Sequence, residues 1–378
     1  MTYLIAILLV GINIAPFIFP QLDIWHAQGI FTQTAILILF SASLLKSPNF
    51  IEPKNKELGL LHLWVGLQTA WICFVSQTNH KYDITHFFPY FNFLCLVILY
   101  RIIVQYLNRE NIELCMVFLK YAIVANLLVS VLQFLGASQF FELFYPTDGF
   151  HNNPINGFIG NGTHLSGFLA MMIPVFLYFG KREDYLCLVL MGVLLCLSGT
   201  STNEPSISGW IVGGALISLW IAYIKNISVW YMLAGVVGLV ILVSFIFPQF
   251  ISVNGRTGFW SYYFPIIKKW FVTGTGLGTM NGIYKESANP NVRHLHMEYF
   301  QFILEIGIIG VVLGLNLIKK FWEIQVEDKL GLSLKLIFIG FCISACFNYP
   351  AHLWLVSTYA VFSYAAVMVL KRGDNYAR

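Results

Sequence analysis

Apolar residues run through this chain in long, nearly unbroken stretches, and polar residues are confined to the gaps between them. A helix that crosses a membrane needs about 20 mainly apolar residues, and a scan at that length predicts about twelve such helices. The first half supplies Tyr3–Pro20, Ile30–Leu45, Leu58–Ser76, Phe87–Leu107 and Ile112–Ala137. After a polar loop come His164–Gly180, Tyr185–Thr200, Ser206–Ile224 and Val229–Phe247. A second long polar segment precedes Met297–Ile318, Leu332–Phe347 and Ala351–Leu370. The pattern predicts an all-α, polytopic membrane bundle in which residues 1–378 form one integral membrane domain. The long loop falls before the tenth helix.

Composition narrows the partners. The chain is 58% hydrophobic and 11% charged, with a mean hydropathy of +0.72, whereas a soluble domain carries about a quarter charged residues. So few charges cannot cover a water-facing surface. The net charge of +4 is spread over loops, and no basic run with interleaved aromatics of the nucleic-acid kind occurs. Membrane lipids are therefore expected around the chain, and no nucleic acid. The first apolar run lacks a basic leader and a small-residue cleavage site, so it reads as a retained helix. The cysteines all fall in apolar stretches. Cys342 and Cys346 lie one turn apart but lack histidine or carboxylate neighbours, which makes a poor metal site. Neither metal nor other cofactor is expected.

Lys and Arg concentrate in short cytoplasmic loops of membrane proteins. With both termini inside, the inner loops hold Lys46, Lys54, Lys56, Arg109, Lys181, Arg182, Lys225, Lys319, Lys320 and Lys329. The opposite short loops hold Lys81 alone. This asymmetry places the long loop, residues 248–296, outside. Within the spans, ionisable residues are functional candidates by default. Arg101 reads as snorkelling, while Lys120 either snorkels or lines a cavity, and Glu305 lies in the tenth span. The chains of buried carboxylates and histidines expected of a proton-coupled pump are not visible. The other outside loop, Ser138–Thr163, has no Lys or Arg. Its turn residues suit a folded surface loop at the membrane interface.

The candidate chemistry lies between Asn254 and Gly310, which gather Arg256, Lys268, Lys269, Lys285, Arg293, His294 and His296 between two hydrophobic spans. Such a concentration of cations implies an anionic substrate. Aromatic residues from Phe259 to Trp270 mix with Lys268 and Lys269, as in interfacial helices, and Pro265 predicts two short helical pieces. Arg256 can grip two phosphate oxygens at once, which a lysine cannot. In Gly274-Thr275-Gly276-Leu277-Gly278, closely spaced glycines can turn backbone N–H groups toward an anion, so Gly276 and Gly278 are candidate substrate contacts. A tight turn that brings the interfacial helix back over the bundle explains the same glycines. Arg293-His294-Leu295-His296 enters the tenth span. An imidazole near neutrality can take a proton from an attacking hydroxyl, which makes His296 and His294 candidate bases. Together these parts suggest an Arg256-held diphosphate leaving group, with Arg293, Lys268 and Lys269 as further substrate contacts. Charge developing on the leaving diphosphate is what such cations stabilise.

At these residues the chain resembles the O-antigen ligase/polymerase superfamily of bacterial membrane glycosyltransferases. Its Gly-Arg-x-x-x-Trp element is matched by Gly255-Arg256-Thr257-Gly258-Phe259-Trp260, and its Gly-x-Gly-x-Gly stretch by Gly274 to Gly278. Its histidine motif and following Glu-x-Gly-x-x-Gly are matched by His296, Phe300-Gln301, Glu305, Gly307 and Gly310. The resemblance implies a bacterial inner-membrane enzyme whose site faces the periplasm or exterior. It further implies metal-independent transfer of a glycan from an undecaprenyl-diphosphate-linked donor to a glycan or lipid A-core acceptor. His296 would activate the acceptor and Arg256 would bind the diphosphate. Met297 stands where the family usually has Asn, and Ser198 to Glu204 replace a Ser-Arg element. Arg293, Lys268, Lys269 and Lys81 are the candidate replacements for that arginine. The alternative is a polysaccharide or lipid-carrier transporter, or an assembly protein without catalysis. Transporters often show paired repeats and broken helices, and the sequence shows neither.

Overall fold

A computed structural model describes residues 1–19, 22–46, 56–79, 87–137, 155–201, 204–228, 254–279, 295 and 297–377. In chain order these form α1 (Thr2–Ile18), α2 (Ile24–Lys46), α3 (Lys56–Asn79), α4 (Phe87–Tyr106), α5 (Arg109–Leu132), α6 (Gly162–Phe179) and α7 (Arg182–Leu197). A small antiparallel hairpin, β1 (Gly199–Ser201) and β2 (Glu204–Pro205), leads into α8 (Ile207–Ile224). The rest is α9 (Asn254–Lys269), α10 (Glu298–Trp322), α11 (Lys329–Ser344) and α12 (Trp354–Ala377). Among the described residues, seven helices are long and apolar enough to cross a membrane: α2, α4, α5, α6, α8, α10 and α12. The expected span Val229–Phe247 lies outside the described residues. Helices α7 and α11 have 16 residues each and contribute Leu194 and Leu332 to the same core.

The core forms where small residues let helices touch. Gly209 of α8 faces α6 so closely that an added Cβ would lie 1.8 Å from Ser166 Oγ. Close backbone approach of this kind is how helices associate where lipid offers no hydrophobic drive. Helix α6 is consequently buried along most of its length. A polar network pins three further helices. Asn13 Nδ2 of α1 donates to Tyr359 Oη of α12 at 2.6 Å, and Tyr359 Oη donates to Leu9 O at 2.6 Å. Asn126 Nδ2 of α5 reaches Asn13 Oδ1 at 3.3 Å.

The two ends of the bundle differ in charge chemistry. At one end, Arg109 pairs with Asp328 and Glu113, Lys320 pairs with Glu57, and Lys335 Nζ donates to the Trp322 and Ile324 carbonyls. The opposite end gathers the N-termini of α6, α8 and α10 beside the α11–α12 connection: Asn348 Nδ2 donates to Ser208 Oγ at 3.1 Å, and the His164 ring stands edge-on to Tyr349.

Two expectations change. The end of the Ser138–Thr163 loop is not a surface segment, because Ile155, Phe158 and Ile159 are buried. Two of the carbonyls are taken by the bundle: Gln28 Nε2 donates to Phe158 O and Trp25 Nε1 to Ile159 O. Asn161 then caps α6 by accepting from the Thr163 N–H at 2.9 Å. Lys120, expected to snorkel or to line a cavity, is held in an ion pair. It pairs with Asp184 of α7, a fully buried carboxylate that also accepts the Lys181 N–H at 2.9 Å, and it sits over the Phe179 ring. Removing one partner leaves the other charge buried alone, which costs about 3–5 kcal/mol. Lys120→Met is therefore expected to lower the melting temperature in detergent sharply. Adding Asp184→Asn, which keeps an oxygen for the Lys181 N–H, should recover most of the loss; equal melting of the single variant and wild type would contradict the pairing.

Candidate functional site

Helix α9 lies beside the start of α10 and is one continuous helix, which corrects the expectation of two pieces. Pro265 removes one helical hydrogen bond, but it stands within the last turns of α9, and the helix runs on to Lys269. The aromatic residues divide by environment. Tyr263 is fully buried with Leu295 and Leu304 in a small core of its own, whereas Tyr262 and Phe264 are exposed. Trp260 Nε1 donates to Leu295 O at 3.0 Å, and the indole meets the Phe300 ring edge-on. Between α9 and α10 lies a cavity of about 410 Å³ whose lining includes Trp260, Phe264, Ile267, Phe271 and Phe300, with Lys268 its cation.

The glycine-rich turn solves a problem created in α10. That helix breaks at Gly307, whose φ is +67°, so the carbonyls before it lose their helical partners. Each finds another. Thr275 N donates to Leu304 O and Gly276 N to Glu305 O, both at 2.7 Å. Trp64 Nε1 of α3 donates to Ile306 O at 2.8 Å. In return Ile308 N donates to Phe271 O at 2.8 Å. Backbone freed by a break inside a membrane must be satisfied in this way. Gly274, with φ +72°, and Gly307 touch backbone to backbone: an added Cβ on Gly274 would lie 2.3 Å from Glu305 O. No broken span was expected from the sequence, and this one is filled by the protein's own backbone.

The break alters the expected role of Gly276. Its N–H is committed to Glu305 O, so it is not a free donor for an anion, and the tight-turn alternative describes it. Gly278, at φ +76°, packs against Pro89, and its N–H is directed at the Glu305 carboxyl group.

Behind the turn lies a polar cluster that the sequence did not suggest. Glu298, Gln301 and Glu305 occupy successive turns of one face of α10 and are buried. Glu298 Oε1 pairs with His352 Nδ1 at 2.9 Å, and its Oε2 accepts the Ala351 N–H at 3.1 Å. The Glu298 N–H donates to Ala345 O at 2.9 Å and to Asn348 O at 3.1 Å. Gln301 Nε2 donates to Glu305 Oε1 at 3.1 Å, and the same amide lies 3.0 Å from His352 Nε2. Burial would lower the His352 pKa, but the Glu298 carboxylate outweighs it, by charge and by hydrogen bond. With Glu305 adding to this, the imidazole is pushed up to about 9. A chain of buried carboxylates with a histidine is thus present, contrary to the sequence reading. Its members come from α10 and from the turn before α12, too far apart in sequence for a local pattern. The available signal was the Asn-Tyr-Pro turn between two apolar runs, with a histidine just after it.

Of the residues singled out from sequence, Arg293, His294 and His296 lie outside the described residues, as does Lys285. Arg256 falls in the first turns of α9, and its side chain lies outside what is described. Lys268 and Lys269 are exposed at the end of α9, with Lys269 Nζ over the Trp270 ring at 5.5 Å. The two neighbours of position 296 are described: Leu295 is fully buried, and Met297 is half-buried at the N-cap of α10. In comparisons with known proteins, no family model matches the chain and no curated protein matches it significantly.

Proposed function

We propose that this chain is a membrane glycosyltransferase of the O-antigen ligase/polymerase type. In this reading it moves a glycan from undecaprenyl diphosphate to an acceptor hydroxyl during cell-surface polysaccharide assembly. One observation carries the reading. Three motifs separated in sequence are in direct contact: Trp260 holds the Leu295 carbonyl, and the Gly274–Gly278 turn pairs with the α10 backbone at Glu305 and Gly307. A shared site is the economical reason for three such elements to be interlocked at one end of a membrane bundle.

The apolar groove between α9 and α10 supports the lipid part of the proposal. It is walled by aromatic and aliphatic side chains, and Lys268 borders it. That pairing of an apolar channel with a cation at its edge suits an isoprenoid chain ending in a diphosphate. The full bundle is proposed to have about twelve spans, with the α9 end at the outer face of the bacterial inner membrane. There Arg256 would bind diphosphate, His296 or His294 would take the acceptor proton, and Arg293, Lys268 and Lys269 would contribute charge. The acceptor is proposed to be another glycan or a lipid A core.

Deleting the gene and profiling surface glycans tests this reading. Shortened chains identify a polymerase, and unattached full-length chains identify a ligase. Normal glycans, or accumulation of lipid-linked intermediates at the inner face, would favour the transporter alternative. Transfer by the reconstituted protein is expected to survive excess chelator; its abolition, with recovery on adding a divalent ion, would remove the metal-independent mechanism.

A further inference from the structure

Helix α9 follows α10 into the bundle, and the glycine turn brings the chain back. Near the start of α10, the Trp260 indole meets the Phe300 ring. Farther along, Phe271 O accepts the Ile308 N–H at 2.8 Å, and Val272 O lies against Gly307. The two helices therefore advance in the same direction as far as the break. The chain then reverses: Thr275 N donates to Leu304 O, and Gly278 packs on Pro89 near the start of α4.

The depth of this turning point follows from the opposite end of the bundle, where Lys320 of α10 pairs with Glu57 of α3. Gly307 precedes Lys320 by thirteen residues, about 20 Å of helix at about 1.5 Å per residue. Gln68, whose Nε2 donates to Thr273 O, follows Glu57 by eleven residues, about 16 Å. Two separate helices thus place residues 271–274 at nearly the same height. Pro89 stands seventeen residues before Tyr106, where α4 ends, so Gly278 is higher, at about 25 Å. A hydrocarbon core is about 30 Å thick, which puts the turning point near its middle.

The chemistry of the turn suits that depth. Non-helical backbone is tolerated inside a bilayer where protein satisfies it. The Phe271, Thr273, Leu304, Glu305 and Ile306 carbonyls each accept a protein donor. Phe264, Phe271 and Val272 are exposed, as are Leu63 and Leu67 of α3 at the same height. Water would satisfy those carbonyls unaided and would oppose exposing those side chains. Lipid does the reverse.

We propose that residues 254–279 form a re-entrant segment, which descends to about the middle of the bilayer and returns to the face it came from. The α9–α10 groove is then a side entrance for the chain of a polyprenyl phosphate lipid. The depth is a property of the fold, whereas the choice of lipid rests on the glycosyltransferase reading. Phe264 and Phe271 belong both to the groove wall and to the exposed surface, so the groove opens toward the acyl chains. Lys268, one helical turn before Val272, lines it as well. A lysine below the interface extends its stem toward the headgroups, which brings the ammonium to the level of a lipid phosphate. A chain enters this groove sideways from the leaflet, without passing through water.

The test uses the full chain and two readouts. For depth, a fluorescent amino acid is introduced singly at Tyr262, Val272 or Leu67, and the protein is reconstituted in vesicles. Quenching is compared between phospholipids brominated near the headgroup end and near the methyl end of their acyl chains. The label at Val272 is expected to favour the deep bromines as strongly as the label at Leu67, and more strongly than the label at Tyr262. A Val272 ratio equal to that at Tyr262 and below that at Leu67 overturns the re-entrant segment, as does indifference to both lipids. For binding, undecaprenyl phosphate is titrated in detergent and followed by native mass spectrometry. Lys268→Gln should weaken binding about tenfold, the loss of one charge-assisted contact. Ile303→Trp, which fills the groove without changing charge, should weaken it at least as much. Phe264→Glu, at an exposed position, should do the same by repelling the phosphate. Unchanged binding in both Ile303→Trp and Phe264→Glu overturns the side entrance, and so does displacement of the lipid by inorganic phosphate. Deep quenching and groove-dependent binding with no glycan transfer by wild type leave the entrance standing and remove the glycosyltransferase reading instead.

Discussion

Replacing His296 with alanine is expected to lower glycan transfer by about 10²–10⁴-fold, the usual contribution of a positioned general base, without changing membrane insertion or melting. An acceptor hydroxyl is a weak nucleophile until its proton is taken, and an imidazole near neutrality does this at physiological pH. The packing around position 296 gives the prediction its sharpness. Leu295 is buried, bonds Gln301 through its N–H and holds Trp260 through its carbonyl, so the α9–α10 contact keeps these ties when position 296 is substituted. Arg256→Lys is the companion variant. It keeps the charge but loses the planar fork, and a lost charge-assisted hydrogen bond of about 1.5–3 kcal/mol corresponds to about ten- to a hundredfold in turnover. Full transfer by His296→Ala, together with full transfer by His294→Ala, would end the case for histidine catalysis. Normal turnover by Arg256→Lys would remove the two-oxygen grip on diphosphate.

The second large effect is structural. Gly307→Val is expected to destabilise the protein by about 2–6 kcal/mol, combining left-handed backbone strain with overpacking. At Gly307 the φ of +67° is one that L residues rarely adopt, and an added Cβ would lie 2.4 Å from Val272 O. That neighbour is backbone and cannot swing aside. The clash would push the 272–276 turn off α10 and expose the Leu304 and Glu305 carbonyls at once. Against a typical total stability of about 5–15 kcal/mol, the variant should express poorly and melt far below wild type. Gly314→Ala is the control on the same helix. Nothing lies within 4 Å of its added Cβ, and alanine favours a helix by about 1 kcal/mol over glycine, so its melting should equal or exceed wild type. Equal behaviour of the two variants would show that the paired break at Gly307 is not formed.

How far the chain could be read without coordinates depends on the range of each interaction. Apolar runs such as Gly162–Phe179 and Ile207–Ile224 announce membrane helices because the signal is local and additive over about 20 residues. For the segment Thr257 to Phe271, Pro265 misled about continuity, because the helix runs unbroken to Lys269. A lost hydrogen bond near a helix end is tolerable, and sequence alone does not say how near the end a proline falls. The glycines at 274, 276 and 278 were visible as a tight or anion-facing turn, yet the choice between those roles depended on which carbonyls waited opposite them. His352 was missed because its partner Glu298 lies on another helix.

The sequence by itself determined that this is a helical protein built for lipid, and that cations, histidines and glycines cluster between two of its apolar runs. Those properties follow from residue type and spacing, which act over one or two helical turns. Tertiary structure alone decided that α10 breaks at Gly307, that the glycine turn fills the break, that Lys120 belongs to Asp184, and that Glu298 belongs to His352. Each of these depends on a burial or a backbone vacancy created by packing distant segments together. Until the helices meet, a carboxylate has no reason to prefer one histidine over water, and a carbonyl has no orphaned lone pair for a distant N–H to fill.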